Sequence, residues 1–306
     1  MATVAEWVEG MRPRTLPLSV SPVLAGSAVA LASGGFHPWR GVLTLIVGVA
    51  MQVGVNLSND YSDGVRGTDA HRVGPQRLVA SGAATPGAVK RAAFIAYGIG
   101  CLAGVGLIVL THLWWLVALG VAIVLAAWFY TGGKHPYGYM GLGEVFVFLF
   151  FGLVATAGTV LVQTLFAPAV GGLTQHVTAT LLATLAQGAG ACAVLVANNL
   201  RDIPTDTLAG KRTLSVRLGD RYSRVLFVLL VVVSVLAAVA TALLLTPYAL
   251  LCLAMVFWLA PAVGVVVSGA TGLELVRALK LVGLGQLAGA MGLLTGVWLS
   301  TLALAN

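Results

Sequence analysis

The sequence is short of charge. Of its 306 residues only 9% are Asp, Glu, Lys or Arg, and only ten are acidic, against about 25% charged in an ordinary soluble domain. With 59% hydrophobic residues and a mean hydropathy of +0.98, the chain reads as an integral membrane protein. Cysteine is scarce as well. Cys101, Cys192 and Cys252 have no paired spacing and lie in apolar runs, which excludes a disulfide framework or a zinc site and leaves them as small core hydrophobes. The net charge of +7 is therefore read as membrane topology and attraction for anionic lipid or substrate. No nucleic-acid partner is expected, and no obligate protein partner is implied. Low-complexity segments are missing, and no polar stretch is long enough for a separate domain. Residues 1–306 are expected to form a single membrane domain. A cleavable leader is not expected either. Arg12 and Arg14 precede an apolar run containing Ala25-Gly26-Ser27, but the run continues past that point and Pro17 and Pro22 interrupt it.

What is abundant is apolar sequence of spanning length, roughly 20 residues per segment. About nine spans are predicted, near 15–34, 41–59, 89–110, 113–131, 143–165, 177–199, 224–245, 248–268 and 281–303. The predicted fold class is all-α, a multi-pass transmembrane helical bundle. Most connections are short, but two polar ones are longer, about 60–88 and 200–223. Lys and Arg fall almost entirely before span one and after spans two, four, six and eight, with Arg40 the exception. By the positive-inside rule, the N-terminus and the even-numbered exits face the cytoplasm, as in a multi-pass protein of the plasma membrane. Every acidic residue falls on that same side, which marks it as the working face. Arg217, Arg221 and Arg224 read as inside-positive anchors, and Trp114 and Trp115 as an interfacial belt.

Two acidic clusters open the two long connections. One is NLSNDYSDG over Asn56–Gly64, followed by Asp69; the other is NNLRDIPTD over Asn198–Asp206. They lie four spans apart, each after an even-numbered span and each before a basic segment. That spacing suggests two similar four-helix halves plus a final helix, with both clusters at one end of a central cavity. On continuing helices, Asn59 and Asp63 are i,i+4, Asp60 and Asp63 are i,i+3, and Asp202 and Asp206 are i,i+4, so each cluster shares a face. Asn56 and Asn198 lie about one turn earlier, and Pro204 is expected to kink the second helix and re-aim Asp206. Oxygen ligands without His or Cys suit Mg²⁺. Two facing clusters suit two such ions with a diphosphate between them. A single Asp at a helix end is usually a cap; two polar clusters at a membrane surface point to function, because ionisable groups there are costly.

Cations on the same rim fit the phosphate oxygens. Lys134 follows the turn that begins at Tyr130, Lys211 and Arg212 lie just past the second cluster, and Arg77 follows the first. Placed there, they would grip a diphosphate and stabilise the charge that builds on it as it leaves. The apolar spans offer room for a long isoprenoid tail reaching membrane lipid, and Tyr61, Tyr130 or Tyr139 offer ring faces to an allylic cation.

These strings resemble the UbiA superfamily of intramembrane aromatic prenyltransferases over nearly the whole chain. NDxxD from Asn59, DxxxD from Asp202 and YxxxK from Tyr130 carry the likeness. Four longer strings resemble the branch that prenylates 1,4-dihydroxy-2-naphthoate. They are RPRTLP from Arg12, NDYSDGxxGxD from Asn59, GPQRLVASG from Gly74, and NNLRDIxxD from Asn198 with the following AGKRTL. The resemblance implies Mg²⁺ ligation by Asn59, Asp63, Asp202 and Asp206, with Asp60 beside them in the catalytic set. It implies diphosphate binding by Lys134, Lys211, Arg77 and Arg212, with Tyr130 and Asn198 alongside. The implied reaction moves a polyprenyl group from polyprenyl diphosphate to 1,4-dihydroxy-2-naphthoate, releasing diphosphate and CO₂ and giving demethylmenaquinone for menaquinone synthesis. One position departs from the pattern: Gly67 stands where many relatives have a further Asp, which leaves the role of Asp69 open. Another aromatic acceptor, such as 4-hydroxybenzoate, is the alternative within the family. A transporter is the alternative outside it, although transporters tend to hold their ionisable groups at the bilayer midplane.

Overall fold

A computed structural model describes residues 2–68, 76–165 and 171–305 of the chain. The described residues contain helices and turns and no strand. A short helix α1 (Val4–Gly10) is followed by α2 (Pro17–Ala32), α3 (Pro38–Arg66), α4 (Pro86–Thr111) and α5 (Leu116–Phe129). Then come α6 (Gly143–Thr164), α7 (Leu173–Leu208), α8 (Leu214–Leu245), α9 (Pro247–Val267) and α10 (Leu273–Ala305).

Each of the nine predicted spans meets a helix, but the count of nine is approximate. Seven helices, α3, α4 and α6 to α10, are long and apolar enough to cross a membrane. The segment Val4–Thr15 and α2 meet at a bend of 46°, and counted together as one broken span they bring the number to eight. The remaining helix, α5, has only 14 residues, about 21 Å of rise against a hydrocarbon core of about 30 Å. It is short because residues 113–115 form a turn instead of the predicted first turn of a span, after His112 closes α4 in a left-handed conformation (φ 56°).

The two halves show in the packing. In each, the second helix is long (29 residues in α3, 36 in α7) and pairs most extensively with the third, α3 with α4 and α7 with α8. The acidic clusters sit at the C-terminal ends of α3 and α7. Small residues allow the close crossings. Gly152 of α6 lies on α7 so tightly that a Cβ there would fall 2.9 Å from the Gly188 Cα. Over Phe148–Ala157, α6 widens into π-helical turns. With i→i+5 bonding, Phe146, Phe150, Phe151 and Ala155 all come to line the same cavity.

Several cations do more than anchor the bundle. Arg40, alone at the far end, donates to the carbonyls of Val162, Gln163 and Leu110 at 3.2–3.3 Å, tying together the C-terminal ends of α4 and α6, where carbonyls lack helical partners. Arg224, read from sequence as an anchor, pairs with Asp220 and donates to the carbonyls of Val266 (2.6 Å) and Ala270 (3.0 Å), so it closes the end of α9. Cys192 and Cys252 are buried as expected, but Cys101 is exposed on the outer face of α4.

Candidate active site

The residues that build the site come from the polar end of the bundle. At α3, Asn59, Asp60, Ser62 and Asp63 are all buried, and the helix ends at Gly67, whose φ of 74° is left-handed. Only glycine takes that conformation without cost. The missing third Asp is therefore a helix stop here. Asp69 lies outside the described residues. At the other cluster, α7 continues through Pro204 to Leu208. Asp202 and Asp206 thus remain one turn apart on one face and both line the cavity.

Asp63 is the meeting point. Its carboxylate faces Lys211 Nζ at 3.5 Å and Arg77 Nη2 at 3.7 Å, and it accepts a short hydrogen bond from the Tyr139 hydroxyl. Lys211 also lies 3.9 Å from Asp206 Oδ1 and 4.6 Å above the Tyr139 ring. One ammonium therefore bridges the two acidic clusters. Its backbone N–H donates to the Asp206 carbonyl at 2.8 Å, which fixes the chain as it leaves α7. Burial and the neighbouring Asp63 push the Tyr139 phenol above its ordinary range, so it stays a donor at neutral pH. Asp202 is gripped by Arg201, Nε to Oδ1 at 2.7 Å and Nη2 to Oδ2 at 2.6 Å, and Arg201 also donates to Asn198 Oδ1 at 2.9 Å. Asn59 Oδ1 accepts from Thr131 Oγ1 at 2.7 Å. Asn56 donates from Nδ2 to the Met11 carbonyl (2.9 Å) and Thr15 Oγ1 (3.0 Å), which ties the N-terminal segment to α3.

These groups line one end of a cavity of about 380 Å³. Asn59, Asp63, Arg77, Asp202, Asp206 and Lys211 lie at the polar end, together with Arg12. Met51, Ile123, Phe150 and Val154 line the apolar remainder. Tyr130 and Asn198 also face this space. Among the described residues no three acidic, His or Cys side chains converge on one point. The donor set still fits Mg²⁺, which takes one or two carboxylates and shares its remaining positions between water and substrate phosphates. The bridging ammonium marks a place between the clusters where positive charge is held.

Three predicted site residues lie elsewhere. Asp60 turns away from the cavity, and its two oxygens accept the backbone N–H groups of Leu78 (2.8 Å) and Val79 (3.0 Å). It fastens the loop that carries Arg77. Lys134 is exposed and lines a shallow neighbouring pocket with His135, Arg212 and Arg217. Arg66 holds the preceding turn through short hydrogen bonds to the Thr131 and Gly133 carbonyls, which directs the lysine outward. Arg212 is also exposed, in that same pocket, with its N–H on the Tyr139 carbonyl at 2.9 Å. Tyr139 lines both spaces and forms the wall between them. Asp60→Ala should therefore loosen the 76–85 loop at a cost of about 1–3 kcal/mol. Limited proteolysis in detergent should then cut that loop faster than in the unmodified protein. Unchanged protection would remove Asp60 from this role.

Arg12 and Arg201 are cavity cations that the sequence analysis did not assign to the site. Arg12 sits in a left-handed conformation (φ 55°) before Pro13. Its signal is the density of cations ahead of the first span, which had been assigned to topology alone. Arg201 is the immediate neighbour of Asp202, and adjacent helical residues ordinarily point apart; only its long side chain lets it fold back.

The comparisons with known proteins give the family and the fold. The sequence pattern of the UbiA prenyltransferase family matches residues 19–282. A 1,4-dihydroxy-2-naphthoate octaprenyltransferase of Mycobacterium tuberculosis is 47% identical over 292 residues, covering 95% of this chain and 96% of that one. The protein of the same description from Escherichia coli is 38% identical over 226 residues, 71% and 70% of the two chains. Among solved structures, an apo UbiA homolog from Aeropyrum pernix superposes with a TM-score of 0.63 at 14% identity, covering 93% of this chain and 98% of that one. A homolog from Archaeoglobus fulgidus bound to GPP and Mg²⁺ superposes with a TM-score of 0.59 at 12% identity, covering 95% and 99%. The fold is thus shared at low identity, and the sequence likeness extends over nearly the whole chain. The chain is an integral membrane protein and belongs to the UbiA prenyltransferase family.

Proposed function

We propose that this protein transfers a polyprenyl group from polyprenyl diphosphate to 1,4-dihydroxy-2-naphthoate, releasing diphosphate and CO₂ to give demethylmenaquinol, the hydroquinone that a separate oxidation converts to demethylmenaquinone. The observation that carries the reading is the single cavity with a polar end of facing carboxylates and buried cations and a long apolar remainder. The 47% identity to a naphthoate octaprenyltransferase supports the choice of acceptor. Asn59, Asp63, Asp202 and Asp206 are the residues that would hold Mg²⁺, in our reading two ions. When bound, the metal supplies charge neutralisation on the diphosphate as the carbon–oxygen bond breaks.

The protein's own residues do the rest. Lys211, Arg77 and Arg12 reach the same end of the cavity and hold the diphosphate oxygens. Tyr139, Thr131 and Arg201 fix the carboxylates and Asn59 in place before substrate arrives, and such preorganisation lowers the reorganisation needed during reaction. The apolar walls hold the first isoprene units and keep water from the allylic cation. Lys134 and Arg212 lie outside this arrangement, on the far side of Tyr139, and receive the diphosphate on its way in or out. The polar end faces the cytoplasm, by the distribution of Lys and Arg.

The test is a membrane assay with polyprenyl diphosphate, 1,4-dihydroxy-2-naphthoate and Mg²⁺. Formation of a prenylated naphthohydroquinone, detected as the quinone after air oxidation, is expected, with loss of activity in EDTA and recovery on adding Mg²⁺. Transfer to 4-hydroxybenzoate and not to the naphthoate would overturn the acceptor. Undiminished transfer in EDTA would overturn the metal.

A further inference from the structure

Glu144 is a buried carboxylate that the diphosphate site does not use. It lies in the first turn of α6, only 9% exposed, and is not among the residues lining the cavity. One oxygen, Oε1, accepts from Asn199 Nδ2 at 3.0 Å, and the other has no hydrogen-bond partner. An unfinished carboxylate inside a membrane helix is costly. The adjacent helix N-terminus makes it easier to tolerate but gives no reason for it.

The reason lies in Asn199. This residue lines the cavity one turn before Asp202, beside Asn198 and Leu195. The contact runs from Nδ2 to Oε1, so the amide presents its NH₂ to Glu144. Its Oδ1 is then turned away from Glu144. The walls nearby are aromatic. Tyr130 and Tyr137 meet edge to face at 5.4 Å, and Tyr137 lies 4.1 Å from Phe146 between ring centroids. All three line the cavity. The Tyr130 hydroxyl lies next to Gly143, where an added Cβ would come within 3.4 Å of it.

We propose that Asn199 binds the aromatic acceptor, its Oδ1 accepting a hydrogen bond from a ring hydroxyl, and that Glu144 is the positioning residue that fixes this orientation. The Tyr130–Tyr137–Phe146 wall holds the ring. The cationic end beside Lys211 attracts the acceptor's own carboxylate, so that group points toward it. A phenol thus binds with its hydroxyl at Asn199, and a ring without a hydroxyl there leaves a buried oxygen unsatisfied, which such sites reject strongly. The inference rests on the acceptor reading above.

Glu144→Gln keeps the shape and removes the constraint, because a glutamine amide pairs with either end of Asn199. Steady-state kinetics on purified protein should show the KM for the acceptor raised about tenfold, the loss of one good hydrogen bond, with the KM for polyprenyl diphosphate within twofold of the parent. Asn199→Ala should show the same split, and the double variant should be no worse than Asn199→Ala alone. An unchanged acceptor KM in Asn199→Ala, equal movement of both KM values, or additive losses in the double variant would overturn the proposal. Unmodified protein that prenylates 4-hydroxybenzoate and not the naphthoate overturns the acceptor reading only. The same split measured with 4-hydroxybenzoate then decides the role of the Glu144–Asn199 pair.

Discussion

Asp63→Asn should lower turnover to about one thousandth, the scale of removing one preorganised electrostatic contact from a reacting centre, while the protein stays folded and in the membrane. Asparagine has the same shape and can still accept from Tyr139. What it loses is charge. Asp63 is where Lys211, Arg77 and Tyr139 converge, at 3.5 Å, 3.7 Å and through a short hydrogen bond. Without it both cations remain and still attract a diphosphate, so substrate binding should survive. The KM for polyprenyl diphosphate should change by only a few-fold while kcat collapses, the pattern of an interaction made in the transition state. Thermal unfolding in detergent and steady-state kinetics would separate these outcomes. Turnover within tenfold of the parent protein would remove Asp63 from the metal set.

The contrast between Asp63 and Asp60 shows where sequence reasoning stops. Both are acids in NDxxD, three residues apart, and helical spacing puts both on one side of α3. That argument has no information about what stands opposite. The loop carrying Leu78 and Val79 packs over Asp60, and its two N–H groups take both carboxylate oxygens. Asp63, one turn on, faces Lys211 and Arg77 instead. The pairing of the two clusters was readable because it rests on span order and on i,i+4 spacing, which survive folding. The number of crossings was readable only approximately, because hydropathy counts apolar residues and does not see the turn at 113–115 that shortens α5.

Lys134 and Tyr139 illustrate the same limit in a connecting loop. The YxxxK string places a lysine on the correct rim, but Arg66 holds the turn so that Lys134 faces outward. Tyr139, five residues further on and read only as a possible ring face, supplies a hydrogen bond to Asp63 and a platform for Lys211. Loops carry no periodicity, so the direction of their side chains is set by tertiary contacts. Glu144 was visible in the sequence as one of ten acids. Its partner is 55 residues away, and nothing local connects them.

Lys211→Met should cost both stability and catalysis, and Mg²⁺ should restore only the first. The ammonium is 9% exposed and sits between Asp63 and Asp206 at 3.5 and 3.9 Å. Methionine preserves the stem and removes the charge, leaving two buried carboxylates facing each other across the gap. Removing one partner of a buried ionic contact costs about 3–5 kcal/mol, so the metal-free variant should unfold several degrees below the parent protein. A divalent ion can supply the missing charge. Because the lysine no longer competes for the same oxygens, Mg²⁺ should raise the unfolding temperature of Lys211→Met more than that of the parent, as expected for a ligand that binds only the folded form. Turnover should not recover with it. Lys211 also faces the place where charge builds on the leaving diphosphate, and its loss there should cost about 10²–10³ in kcat/KM. Equal Mg²⁺ stabilisation of the two proteins would show that the lysine and the metal do not share these carboxylates.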